Sequence, residues 1–482
     1  MLHSWTGIVL ALMIYIVCAS GTVALFVHDI ELWQHPELQR APASGDRPVN
    51  LEGALAEARR AGLVSDRATF QLPHHTNAVM LRIPDDSGRV AFFDPASGAL
   101  RAIRQEGFGR MLRVLHSDLL LPFPVGAFLT GFLGITLLFL VVTGVVTHRR
   151  FYRELFTLRT GRSWRLSWSD LHKLAGAWGM AFLAMMSFSG SIFGLAGLLL
   201  LQTAVVAHRG DAAQASKAIG GFRQEASGVQ ARLGPLAPML AQTIGSAPFS
   251  PRYVTISHIG DEKSTVMVEG ERPDYLSDAE RKVFDRHGRL LAVERGVNEG
   301  AGWRVYSALL PLHFGNYGGA ALKLVYLLLG LAACLMPVSG IWLWLDRHRR
   351  GNTLGRGHFL MRGMASGVIV GFPIGIAGLF IAARLIPVWM AQAGNPALVL
   401  LTVWVGVLGV SLLLARRARL EQALVSLAGG LFLLVPFVNG WVTGDFLLFA
   451  LGGPLRTSHL VDAVLLACAI GLLGAARRMQ KN

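Results

Sequence analysis

Long apolar runs alternate with short basic stretches along most of this chain. Eight runs are long enough to cross a bilayer, at about 4–27, 123–147, 174–201, 321–345, 364–386, 397–415, 421–441 and 458–475. Each reaches the ~18 residues that span about 30 Å of hydrocarbon as a helix. Two long polar segments interrupt the series, at 29–115 and 202–312. Their patterns match. The first predicts a helix near Leu51–Ala61, then short alternating runs at Thr69–Leu72, Val79–Ile83 and Val90–Asp94. The second predicts a helix near Leu236–Ile244, then runs at Tyr253–Ser257, Thr265–Glu269 and Arg281–Asp285. Each contains a turn between strands, Phe93-Asp94-Pro95-Ala96-Ser97-Gly98 and Phe284-Asp285-Arg286-His287-Gly288. Each segment therefore reads as a small α+β module.

The fold class is a polytopic α-helical membrane protein with a duplicated span–module–span unit and about four extra C-terminal spans. The expected division is a first span in 1–28, a first module in 29–115, and spans two and three with a basic loop in 116–201. A second module occupies 202–312 and span four 313–347, and the last four spans with a tail occupy 348–482.

Duplication is also visible in a repeated phrase. Leu-His leads into an apolar helix that ends in Ser/Thr-Gly four times: Leu2-His3 to Ser20-Gly21, Leu115-His116 to Thr143-Gly144, Leu171-His172 to Ser189-Gly190, and Leu312-His313 to Ser339-Gly340. From His to Gly the steps are 18, 28, 18 and 27 residues. Copies one and three match, as do two and four. A rise of 28 residues would be about 42 Å, longer than the hydrocarbon core. His116 and His313 are therefore expected at or above the membrane surface, and Pro122 and Pro124 predict a break after His116.

Charge then fixes a topology. Arg149, Arg150, Arg153, Arg159, Arg162 and Arg165 lie between spans two and three, and Arg347, Arg349, Arg350, Arg356 and Arg362 between four and five. Arg416, Arg417 and Arg419 follow span six, and Arg477, Arg478 and Lys481 close the chain. All fall on one side, so both termini are expected in the cytoplasm of a bacterial inner membrane and both modules in the periplasm. The net charge of +15 is explained by these clusters and does not call for nucleic acid. The first run is too long and lacks the basic start of a signal peptide.

The three cysteines, Cys18, Cys334 and Cys468, lie inside apolar runs without a Cys-x-x-Cys. That disfavours iron–sulfur clusters, zinc ribbons and covalently attached haem. No phosphate loop or dinucleotide fingerprint is present; Gly107-Phe108-Gly109 lacks the required strand–helix context.

The Leu-His…Ser/Thr-Gly helices, the turn phrase from Phe93 to Gly98 and Pro311-Leu312-His313-Phe314-Gly315 resemble the PepSY-associated transmembrane-helix family over roughly residues 1–350. Some members look like iron-regulated inner-membrane reductases of ferric siderophores with two b-type haems. A b-type haem takes neutral imidazoles from two sides within an apolar slot. Matched positions of a duplicated fold meet across its pseudo-twofold axis. His3 with His172, and His116 with His313, are thus the candidate axial ligands of two haems, one at each side of the membrane. His28, His148 and His348 are alternatives. His74, His75, His208, His258, His287, His358 and His459 read as surface or loop residues. The Ser/Thr-Gly pairs read either as close-packing positions or as room for a flat macrocycle. Trp303, Tyr306, Asn316 and Tyr317 flank His313 as a candidate substrate pocket.

The expected activity is haem-dependent reduction of a periplasmic ferric siderophore or chelate to release Fe(II). Its electrons would come from a cytoplasmic reductant or a membrane quinol. Fe(II) sits low in the affinity order, so reduction loosens its chelate. Two alternatives remain: an iron or siderophore permease, which would place ionisable residues deep in the spans, and a non-catalytic regulatory protein acting through its modules.

Overall fold

In a computed structural model, the described residues exclude 1, 36–37, 39–48, 74–77, 84–88, 106, 148–153, 155, 160–162, 212–213, 215–221, 223, 245–248, 273–275, 277–278, 296–300, 351–354, 387–395, 449–454 and 482, and the side chains of 105, 164, 244, 279, 301–303, 350 and 481. The chain divides into two units, each described by itself. One comprises Met1–Gln34, Gly107–Leu195 and Ala320–Asn482, and the other His35–Glu106 and Ala196–Gly319.

The first unit holds the membrane helices: α1 (Leu2–Ala24), α2 (Val27–Gln34), then α4 (Phe108–Asp118), α5 (Val125–Thr147), α6 (Trp164–Gly194) and α10 (Gly319–Arg350). The C-terminal part adds α11 (Arg356–Ile369), α12 (Gly371–Leu385), α13 (Pro396–Leu413), α14 (Leu420–Thr443) and α15 (Thr457–Lys481). Among the described residues, eight helical spans are long and apolar enough to cross a membrane, the eight expected. The protein is a multi-pass membrane protein.

Two boundaries differ from the hydropathy pattern. Span three starts at Trp164, because Ser163 caps it by accepting from the Leu166 N–H and its polar first turns are paired. Arg159 forks onto Asp170, and Lys173 binds Glu154. The apolar run from Ala196 is a separate helix, α7 (Ala196–Ala207), in the second unit. Span five is two helices, α11 and α12, meeting at Val370. Pro373 has no N–H for the Ile369 carbonyl, and the Tyr15 hydroxyl on α1 donates to it instead at 2.8 Å.

The second unit carries α3 (Leu51–Arg60), α8 (Leu236–Ile244), α9 (Ala301–Phe314) and strands β1 (Arg67–Gln71), β2 (Val79–Arg82), β3 (Arg89–Phe93), β4 (Leu100–Gln105), β5 (Ser250–Ser257), β6 (Thr265–Glu271), β7 (Ala279–Asp285) and β8 (Leu290–Arg295). The expected helices and strands are present, with β4 and β8 added after the two turns. The two expected modules share one sheet of order β4-β3-β2-β1-β5-β6-β7-β8. The seam is the antiparallel β1–β5 pair, from Arg67 opposite Ser257 to Gln71 opposite Tyr253. Alternate positions bury Phe70, Leu81, Phe93, Val254, Ile256, Val268 and Phe284 in a core with Leu51 of α3 and Leu236 and Met239 of α8. Glu52 of α3 accepts the Leu236 and Ala237 N–H groups, capping α8 across the seam.

The repeated turns explain their composition. Asp94 accepts the N–H of Ala96 and Ser97, and Gly98 adopts φ +74°. Asp285 likewise accepts from His287 and Arg289, with Gly288 at φ +84°.

Candidate functional site

Three of the four candidate histidines lie in the membrane unit, and each is seated on a neighbouring helix. His3 opens α1, and its Nδ1 lies 3.2 Å from Thr143 Oγ1 near the end of α5. His172 lies in α6, with Nδ1 2.7 Å from Ser339 Oγ on α10. His116 lies in the last turn of α4, with Nδ1 2.9 Å from the Val17 carbonyl of α1.

The partners decide the tautomer. Thr143 Oγ1 already donates to the Phe139 and Leu140 carbonyls of its own helix. Ser339 Oγ donates to Leu335 and Met336 in the same way. Each hydroxyl has one hydrogen and has used it, so it accepts from the imidazole. The Val17 carbonyl can only accept. An Nδ1–H donor fits all three oxygens, and in that tautomer Nε2 is the nitrogen that could take a metal.

Glycine lies beside each of the three rings, and only at position 21 is it required. A Cβ on Gly21 would lie 2.6 Å from His116 Cε1, one on Gly144 3.4 Å from His3 Cε1, and one on Gly340 3.9 Å from His172 Cε1. Two Ser/Thr-Gly pairs, Thr143-Gly144 and Ser339-Gly340, thus receive an imidazole of another helix, while at Ser20-Gly21 only the glycine lies beside one. Close helix packing uses other glycines: a Cβ on Gly194 would meet the Gly131 backbone at 2.6 Å, and one on Gly134 would meet Ser191 and Ser187.

His3 and His172 lie within electrostatic reach of each other. Among the described residues, no group of three or more His, Cys, Asp or Glu side chains is placed to hold a bare metal ion. Burial of His116 lowers its pKa and favours the neutral ring, opposed by its bond to Val17.

The family model described as PepSY-associated TM region matches residues 1–347. The chain belongs to this family. It is also 32% identical over 338 residues to the uncharacterized protein PA4219 of Pseudomonas aeruginosa, covering 66% of this chain and 83% of that relative. In this PepSY-associated protein the family match ends before α11, so the last four spans lie outside it.

The other predicted residues are dispersed. His313 is near the end of α9 in the sheet unit, edge-on to Phe314 at 5.8 Å. Leu-His opens α1 and lies within α6, whereas in copies two and four it closes a short preceding helix. Tyr306 is half-buried in α9, and Asn316 and Tyr317 are exposed beyond it. The Trp303 side chain and all of His148 lie outside the described residues, as do His74 and His75. His28 is on α2, 3.5 Å from Glu31. His348 stacks on Trp344 at 3.9 Å between centroids and bonds the Trp344 carbonyl through Nδ1.

Two histidines expected at the surface are buried. His358 lies in the first turn of α11. His459 lies in the first turn of α15, bonded to Asp445 at 3.0 Å. Sequence reasoning also missed a polar cluster in the C-terminal spans. Asp462 is fully buried on α15 and accepts from Trp33 Nε1 at 2.8 Å and Asn439 Nδ2 at 2.7 Å. Asn439 in turn accepts from Arg384 Nε at 2.8 Å. Its only sequence signal was the rarity of such residues at the ends of apolar runs.

Proposed function

We propose that this protein is a haem-dependent membrane reductase that passes single electrons to a ferric siderophore or chelate. The observation that carries this reading is the common state of three imidazoles. Each has Nδ1 within 2.7–3.2 Å of an oxygen on another helix, an oxygen that can accept from an Nδ1–H. That is the arrangement of a metal-ligating histidine whose outer partner fixes ring and tautomer. A bound b-type haem supplies a ferric/ferrous couple to such a pair.

His3 and His172 would hold one haem at the basic end of the bundle. His116 would hold a second toward the opposite end, and the repeated Leu-His phrase names His313 as its counterpart. One helix organises both levels. α1 carries His3 in its first turn and receives His116 at Val17, about 21 Å further along its axis. Thr143 and Ser339 orient rings, and Gly21, Gly144 and Gly340 leave room beside them. No residue is required as a general acid or base.

The inner-membrane location, cytoplasmic termini and periplasmic sheet follow from the positive-inside bias. On this orientation a cytoplasmic reductant or quinol feeds the His3–His172 end. The ferric chelate takes the electron on the sheet's side, and Fe(III) becomes Fe(II). The buried ion pairs do not favour a permease. Arg362 forks onto Glu421, and Asp462 accepts from Trp33 and Asn439, so both sets join helices.

The test is an absorption spectrum with haem quantitation on detergent-purified protein and on His3→Ala, His116→Ala, His172→Ala and His313→Ala. The parent should contain about two non-covalent haems and each variant about one fewer. Unchanged content in all four variants overturns the ligand assignment.

A further inference from the structure

The four C-terminal spans lie outside the family match and carry none of the repeated Leu-His phrases. The geometry points to a role for them: they clamp the seat of His116, which takes His116 as a ligand as proposed above. The clamp grips that seat from both sides.

One grip is on α1. The Tyr15 hydroxyl donates to the Ile369 carbonyl at the break in span five. Tyr15 lies two residues before Val17, whose carbonyl holds His116 Nδ1.

The other grip is on α2. Its last carbonyls, those of Trp33 and Gln34, would be unsatisfied at a helix end. Arg384 of α12 donates to both and lays its guanidinium 4.0 Å above the Trp33 ring. The Trp33 indole N–H is taken by Asp462 of α15. Asn439 of α14 joins Arg384 to Asp462. Two C-terminal helices, α12 and α15, thus bind one turn of α2, and α14 ties them together.

The grip is relayed to α4. The Gln34 side chain accepts the Phe108 N–H at 3.1 Å, at the first residue of α4. Phe380 of α12 packs edge-on against both Trp33 and Phe108, at 4.8 and 5.3 Å. From Phe108 the helix runs about 12 Å to His116. Trp33, Arg384, Asn439 and Asp462 are positioning residues: they act on His116 through α2 and α4.

The test uses the full chain with Asp462→Ala and the milder Trp33→Phe, which keeps an aromatic ring but loses the indole N–H and the rest of the bicycle. Amide exchange across residues 107–118 is followed by mass spectrometry, and the parent and variants are titrated potentiometrically. Loss of a hydrogen bond to a buried carboxylate should speed exchange in α4 about tenfold. One of the two potentiometric steps should shift, while the His3–His172 step stays in place. In Asp462→Asn, which keeps an oxygen for the indole, the shift should be smaller than in Asp462→Ala. Unchanged exchange in both Asp462→Ala and Trp33→Phe overturns the clamp, as does an equal shift of both steps. If the parent binds no haem yet exchange in α4 rises, the clamp on α4 stands and the haem reading falls.

Discussion

His172 Nδ1 lies 2.7 Å from Ser339 Oγ, and that hydroxyl has already given its hydrogen to Leu335 and Met336. The pair joins two helices, with its residues 167 positions apart, and a hydroxyl so engaged is placed to accept from the ring. Thr143 does the same for His3 at 3.2 Å.

The first prediction concerns these acceptors. Ser339→Ala leaves Nδ1–H without its partner, so the ring can turn and its Nε2 becomes a weaker donor. Loss of such an outer partner costs roughly 10–100-fold in metal affinity. Haem titration of Ser339→Ala and Thr143→Val should show one weakened site each, at the His3–His172 level. Full affinity in both variants would mean that the hydroxyls do not orient the ligands.

The glycine seats predict a graded series. A methyl at position 21 would sit 2.6 Å from His116 Cε1, too close for any real contact, so Gly21→Ala must displace the ring from Val17. At position 144 the distance is 3.4 Å and at 340 it is 3.9 Å, ordinary contact. Haem content should therefore fall most in Gly21→Ala and least in Gly340→Ala. Equal effects at all three positions would point to general helix packing instead.

The spans, their number and the repeated modules were legible because hydropathy and strand alternation are local signals. The histidines were legible as a set because Leu-His recurs at matched intervals. Their seats were harder to read. Each Ser/Thr-Gly pair closes a helix and invites a packing explanation within that helix. Yet in an up-and-down bundle the end of one span lies level with the start of the next. His3 and Thr143-Gly144 could have been matched on that ground. The β1–β5 seam joins Thr69 to Thr255, 186 positions apart, and leaves no local trace. The Trp33–Asp462 bond was equally hidden, since each residue alone reads as an interfacial residue of its own helix.

Acid should loosen the first turn of the sheet. Backbone N–H groups at Ala96 and Ser97 bind Asp94, and Arg101 lies beside it. The Ser97 N–H, and then Arg101, hold the carboxyl down to about 2 from its ordinary 3.8. A depressed carboxylate contributes stability that is complete above its unfolded value and is lost as pH falls through its folded one. The thermal midpoint of the sheet unit should fall as pH drops from about 4 to about 2. Asp94→Asn, which cannot titrate, should flatten that part of the profile. An identical pH dependence in parent and variant would assign the acid sensitivity to other groups.

The break in span five supplies a last, self-contained test. Pro373 offers no N–H to the Ile369 carbonyl, and the Tyr15 hydroxyl takes its place at 2.8 Å. Tyr15→Phe should therefore strand a carbonyl in an apolar setting and cost about 1 kcal/mol, the scale of interhelical hydrogen bonds in membranes. Pro373→Ala restores an intrahelical donor to the same carbonyl. In that background the loss of the Tyr15 hydroxyl should cost close to nothing, because the acceptor is already satisfied. A double-mutant cycle on detergent unfolding measures the difference. Equal costs in the two backgrounds would show that the proline does not create the need for Tyr15.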